Sequence, residues 1–130
     1  MKRVLIVEDN RLERRLLVHL LHSAYPEKIW LDEAIDGLSA ISFITRKEKY
    51  DLIITDLLMP NIEGLELISK IKLDNPEYNN ILVISGGNPY YLTLAKKMGA
   101  FGVYTKPLNK EKFLDSVYTI LNTEYIKKAI

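Results

Sequence analysis

The chain has no cysteine among its 130 residues, which excludes disulfides, thiolate metal sites and thiol nucleophiles. It also has almost no net charge: 18 Lys and Arg against 17 Asp and Glu leave +1. No excess positive field is there to draw nucleic acid or an anionic membrane, and neither is expected as a partner. Long hydrophobic runs are missing as well. Met1-Lys2-Arg3 followed by Val4-Leu5-Ile6-Val7 has the outline of a secretion signal, but the apolar run stops at Glu8-Asp9, far too early for a translocation segment. No stretch approaches a membrane span, so a cytoplasmic protein is expected. Repeats, low-complexity tracts and Ser/Gly-rich linkers are absent too, so residues 1–130 read as a single domain. Apolar residues at 48% and charged residues at 27% are enough to build a sizeable core beneath a solvated surface.

What the chain does have is alternation. Val4–Val7, Leu52–Thr55 and Ile81–Ser85 are short, nearly continuous apolar runs, as expected of strands buried on both faces of a parallel sheet. Lys28–Ala34 and Gly102–Thr105 are mixed in character and suit sheet edges. Between the runs the period becomes helical. Leu12, Leu16, Leu17, Leu20 and Leu21 form an apolar stripe after the N-cap residue Asn10. Leu38, Ile41 and Ile44 form a second stripe beginning near Gly37, and Leu65, Ile68 and Ile71 a third, stopped by Asn75-Pro76. Tyr91, Leu94, Ala95 and Met98 form a fourth before Gly99. Phe113, Val117, Ile120 and Leu121 form a fifth, expected to run on to Lys128. Five βα units with right-handed crossovers give an α/β fold with helices on both faces of a parallel sheet. Placing the strongest strands centrally gives the order 2-1-3-4-5, the flavodoxin-like (βα)5 arrangement. Functional residues of such a sheet lie beyond the carboxyl ends of its central strands, where Glu8, Asp9, Asp56 and Ser85 fall.

Carboxylates gathered there suit Mg²⁺, a small ion preferring octahedral oxygen ligands at roughly 2.0–2.1 Å while keeping several waters. Asp9 and Asp56 are the expected direct ligands, with Glu8 direct or through water and the backbone carbonyl of Leu58 as a further oxygen. Without metal the three acids repel and their pKa values should rise; the cation and Lys106 reverse that. An ionised Asp56 can then attack a phosphoryl group, with metal and lysine stabilising the charge on its equatorial oxygens.

Over essentially its whole length the chain resembles a response-regulator receiver domain of two-component signalling, of the kind found in chemotaxis regulators. The matching residues are Val4–Asp9, Asp56-Leu57-Leu58-Met59-Pro60 with Gly64, Val83-Ile84-Ser85-Gly86, and Gly99-Ala100 leading to Thr105-Lys106-Pro107. The resemblance implies that Asp56 is the phosphoacceptor, that Glu8 and Asp9 help hold Mg²⁺, that Ser85 is the switch hydroxyl, and that Lys106 pairs with the phosphate. It also implies a cis Lys106-Pro107 bond. Gly86-Gly87 after Ser85 would let the following loop move. By the same resemblance Asn10, Glu13, Arg14 and Leu17 form a surface that docks a histidine kinase or histidine phosphotransfer protein. Tyr104 and Pro107, together with Tyr90, Tyr91 and Phe101, suggest a second surface for a downstream protein or a weak homodimer. The expected function is that of a stand-alone receiver without an output domain, monomeric or weakly dimeric. Phosphorylation would shift the 85–90 loop and the surface of the fourth helix, fifth strand and fifth helix. No enzyme acting on an external substrate is expected, only a phosphoacceptor able to assist its own phosphorylation and dephosphorylation. The alternative is the isolated receiver of a longer transcriptional regulator or hybrid kinase.

Two positions depart from the family pattern. Val103 stands where an aromatic switch residue is common, and Tyr104 beside it points to the other face of a strand. Leu58 stands where polar residues are frequent, and its apolar side chain should hinder the water that removes the phosphoryl group. The same leucine argues against an aspartyl phosphatase of the haloacid-dehalogenase type, which needs a second Asp there as general acid. A flavin carrier of this topology needs a Gly- and hydroxyl-rich phosphate loop, and Glu8-Asp9-Asn10 would repel a phosphate. His19 and His22 are read as surface residues, and Arg11, Arg14 and Arg15, interrupted by Glu13, as a solvated helix face.

Overall fold

The computed structural model describes residues 1–46, 49–58 and 63–130. Met59 and Pro60 of the expected motif lie outside the described residues. Five strands, β1 (Lys2–Val7), β2 (Ile29–Ala34), β3 (Leu52–Thr55), β4 (Ile81–Ser85) and β5 (Gly102–Thr105), alternate with five helices. The helices are α1 (Arg11–Ala24), α2 (Gly37–Ile44), α3 (Gly64–Asp74), α4 (Pro89–Lys97) and α5 (Lys110–Leu121). All strand pairs are parallel and the order is β2-β1-β3-β4-β5. The two mixed runs lie at the edges and the apolar ones in the middle. An interior strand needs apolar side chains on both faces, and only three segments offer them.

The strand alternation divides the core in two. Leu5, Val7, Ile53, Ile81 and Val83 face a cluster that takes in Ala40 of α2, Leu67, Ile68 and Ile71 of α3, and Leu92 and Ala95 of α4. Val4, Ile6, Leu52, Ile54, Leu82 and Ile84 face Leu20, Leu21 and Ala24 of α1 and Phe113, Leu114, Val117 and Leu121 of α5. Val103 belongs to the first cluster and Tyr104 to the second, so the strand alternation separates them as expected. Among the described residues no helix is long and apolar enough to cross a membrane.

Three sequence expectations are corrected. The α1 stripe is narrower than its leucines suggest, because Leu12 and Leu16 are 70% and 60% exposed. Leu38 and Tyr91 are also solvent-facing, and Leu92 rather than Tyr91 anchors α4. The fifth helix ends at Leu121 instead of continuing to Lys128. Asn122 adopts φ 53°, ψ 42° and its N–H bonds the Tyr118 carbonyl, a left-handed terminus that asparagine tolerates. The chain then turns back, with Ile126 N–H on the Ala24 carbonyl at 2.9 Å, before a short 3-10 turn over Lys127–Ala129.

Candidate functional site

The site is built from the ends of β1, β3, β4 and β5. Leaving β1, Glu8 stays in the sheet plane through its N–H on the Ala34 carbonyl at 3.0 Å, and its carboxylate turns inward, 3% exposed. Asn10 starts α1: its side-chain oxygen accepts from the Glu13 N–H at 2.9 Å, while its own N–H donates to Glu8 Oε2 at 3.1 Å. One short turn therefore presents Glu8 inward and Asp9 outward.

At the end of β3, the Asp56 N–H bonds the Val7 carbonyl. Its Oδ1 accepts from the Leu57 and Leu58 N–H groups at 2.6 and 3.2 Å, which fixes the plane of a carboxylate only 7% exposed. Gly64 lets α3 begin directly behind this loop: a Cβ there would lie 2.3 Å from the Asp56 carbonyl oxygen. From β5, Lys106 reaches across to Asp56 Oδ2 at 2.9 Å, Glu8 Oε1 at 3.2 Å and Glu13 Oε2 at 2.7 Å. The Lys106-Pro107 peptide is cis, in line with the resemblance. Ser85, the last residue of β4, is buried, and its Oγ accepts from the Gly87 N–H at 3.2 Å, so the hydroxyl is held by its own loop.

Glu8, Asp9 and Asp56 each offer a carboxylate oxygen within 4.8 Å of the others. Three carboxylates at that spacing, two sunk and one exposed, form a hard-oxygen donor set that fits Mg²⁺ and leaves an open side for water. The Glu8 carboxyl is pushed up to about 7, first by burial and then by the Asp56 charge, against the Asn10 N–H and Lys106, which pull it down. The expected rise is therefore present for Glu8, but desolvation exceeds like-charge repulsion as its cause. Burial works to lower the Lys106 pKa, but hydrogen bonds to Glu13 and Asp56 outweigh it and hold the ammonium firmly charged.

The expected docking surface on α1 divides. Arg14 is a strut, its Nη1 donating to the Glu8 carbonyl at 2.9 Å and its Nε to Glu33 Oε1 at 3.2 Å. It belongs neither to a solvated face nor to a free docking patch. Asn10 is occupied as a cap, and Leu17 is half-buried. Glu13, read as a surface residue, is an acid of the site. The signal was present, since an acid in the first turn after a capping Asn sits beside the strand ends. Leu12 and Leu16 are exposed in place of Arg14. Beside them a cavity of about 470 Å³ runs between Glu13, Leu17 and Leu20 on one wall and Lys106, Pro107 and Leu108 on the other. His19 and His22 lie on the surface. The second expected surface also divides. Tyr104 turns onto α5, its ring 5.8 Å from Phe113 and its hydroxyl paired with Ser116. Tyr90 and Tyr91 pair with each other on α4, 5.9 Å apart.

Fold and site together define a doubly wound α/β module with a lysine-countered acidic cluster at its carboxyl edge. Residues 4–118 match the response regulator receiver domain family, and the chain belongs to it. Chemotaxis protein CheY of Halobacterium salinarum is 32% identical over 120 residues, covering 92% of this chain and 97% of that protein. Sporulation initiation phosphotransferase F of Bacillus subtilis is 27% identical over 116 residues, 89% of this chain and 90% of that protein. The crystal structure of response regulator protein TrrA from Thermotoga maritima, in complex with Mg(2+)-BeF, matches with a TM-score of 0.77 at 29% identity, over 92% of this chain and 99% of that one. Receiver domains are signalling modules of two-component systems, generally not enzymes. They bind Mg²⁺ at an acidic pocket and interact with histidine kinases or phosphotransfer proteins.

Proposed function

We propose that the protein is a phosphoacceptor response regulator in which Asp56 takes the phosphoryl group. The observation that carries this reading is the convergence of Glu8, Asp9 and Asp56 with the Lys106 ammonium 2.9 Å from Asp56 Oδ2. A carboxylate oxygen of Asp56 attacks the phosphorus of a phosphohistidine. A P–O bond forms, the P–N bond breaks, and the electron pair leaves on the imidazole nitrogen. The Leu57 and Leu58 N–H groups orient the carboxylate for this attack, and Lys106 stabilises charge on the transferring oxygens. Glu8, Asp9, Asp56 and the Leu58 carbonyl would hold Mg²⁺, which when bound supplies further charge neutralisation.

Ser85 is the switch: a new acceptor at residue 56 draws its hydroxyl from the Gly87 N–H, and the 85–90 loop and the surface of α4, β5 and α5 follow. Val103 leaves no aromatic ring on β5 to couple that movement, so the surface of α4, β5 and α5 follows through the loop itself. The donor is a histidine kinase or phosphotransfer protein. The receiver works in the cytoplasm and passes its state on by protein contact, as the likeness to the Halobacterium and Bacillus proteins supports. Incubation with acetyl phosphate and Mg²⁺, followed by intact mass and peptide mapping, tests it. One added phosphoryl group at Asp56, lost in Asp56→Ala, is expected; addition elsewhere, or none, refutes the assignment.

A further inference from the structure

Lys106 has three carboxylate partners, and the shortest contact, 2.7 Å, is to Glu13, the one that comes from a helix rather than a strand end. Geometry explains why Glu13 is free to reach it. In a capping box the acid at this helical position bonds back to the N-cap N–H. Here that N–H is already taken by Glu8 Oε2 at 3.1 Å, while Asn10 still receives the Glu13 N–H. The Glu13 side chain is thereby released from capping and swings over the strand ends to the lysine. It is 42% exposed, against 3% for Glu8 and 7% for Asp56. One ammonium thus divides its charge between two sunken acids that belong to the cation pocket and one outer acid that does not.

We propose that Glu13 is a positioning residue for Lys106: it draws the ammonium outward, off Glu8 and Asp56, and so keeps those carboxylates open to a divalent cation. The inference rests on the reading of the acidic cluster as a Mg²⁺ site and adds a fourth acid, acting through the lysine. Without Glu13, the ammonium settles fully on Glu8 and Asp56 and competes with the metal for the same oxygens.

The test is the affinity of the full chain for Mg²⁺, measured by calorimetry without any phosphoryl donor. Glu13→Gln should weaken binding about fivefold, within the coupling expected of residues that share one ion-pair network, because the ammonium is then free to settle on the Glu8 and Asp56 oxygens. Glu77→Gln, the same change of net charge on an exposed loop, should leave it unaltered. Acting through Lys106 is read from a double-mutant cycle: in a Lys106→Met background the Glu13→Gln effect should fall below about twofold. Equal weakening in both backgrounds would make Glu13 a mere background charge and overturn the proposal, as would unchanged affinity in the single variant. Failure of the unaltered protein to bind Mg²⁺ would overturn the reading of the site and this inference with it. Binding that ignores Glu13 overturns this inference alone, and absence of a phosphoryl group on Asp56 in the separate labelling experiment touches only the phosphoacceptor assignment.

Discussion

Replacing Lys106 by Met gives the sharpest test of the site's electrostatics. The substitution keeps the length of the side chain and removes the cation that pairs with Glu8, Asp56 and Glu13. Breaking a buried ion pair from one side costs roughly 3–5 kcal/mol, because the remaining charge is stranded. The Glu13 arm is solvated and contributes only about 0–1 kcal/mol. Lys106 itself is partly sunk, and its removal recovers some desolvation. About 2–4 kcal/mol of destabilisation is therefore expected at pH 8 without metal, a fall in the urea midpoint of about 1–2 M for a domain of this size.

The pH dependence gives the loss a sign. The Glu8 carboxyl stands near 7 in the folded protein against an ordinary 4.5. Between those values the folded state holds a proton that the unfolded chain has released. The stability this gives is complete below 4.5 and disappears as pH rises through 7. Lys106 opposes the upward shift, so its loss raises the Glu8 pKa further and carries the window higher. The gap between variant and parent must then widen from pH 5.5 to pH 8 in urea titrations, and saturating Mg²⁺ at pH 8 must close much of it. Equal midpoints at pH 8 without metal, or a gap that narrows as pH rises, would refute the account of Lys106 as the countercharge of two buried acids.

Two further outcomes follow from the geometry around Asp56. Gly64→Ala puts a methyl group where 2.3 Å separates it from the Asp56 carbonyl oxygen and 2.6 Å from Leu57 Cα. Backbone cannot yield cheaply there, so thermal unfolding should show a loss of at least about 2 kcal/mol, and calorimetry weaker Mg²⁺ binding; a methyl group tolerated without either change would mean that α3 does not hold the loop in place. Leu58 projects across the mouth of the site toward Gly87, whose Cβ, if present, would lie 2.9 Å from the leucine Cδ1. Leu58→Asn should admit and orient water and shorten the phosphoryl lifetime several-fold by radiolabel decay, whereas an unchanged lifetime would discharge Leu58 from that role.

The sheet order was legible because apolar continuity is a two-face property. Only Val4–Val7, Leu52–Thr55 and Ile81–Ser85 have it, and a central strand admits nothing else. Helix faces were less legible. Leu12 and Leu16 have the period of a buried stripe, yet α1 buries only Leu20, Leu21 and Ala24; periodicity states which residues share a face, and the neighbouring element decides how much of that face is covered. The end of α5 was misplaced for a related reason: Ile126 is apolar at a spacing that extends the helix, while Asn122, able to adopt a left-handed conformation, stops it.

Within the site, acids at strand ends could be read directly, since strand ends converge in any sheet of this order. Arg14 and Glu13 could not be read that way, because their partners are set by which hydrogen-bond positions the cap leaves vacant. Glu8 takes the Asn10 N–H, so Glu13 is free for Lys106; Arg14 finds the Glu8 carbonyl and Glu33 and is removed from the surface. A turn of three residues, Glu8-Asp9-Asn10, thus determines the pairing of two side chains further along α1.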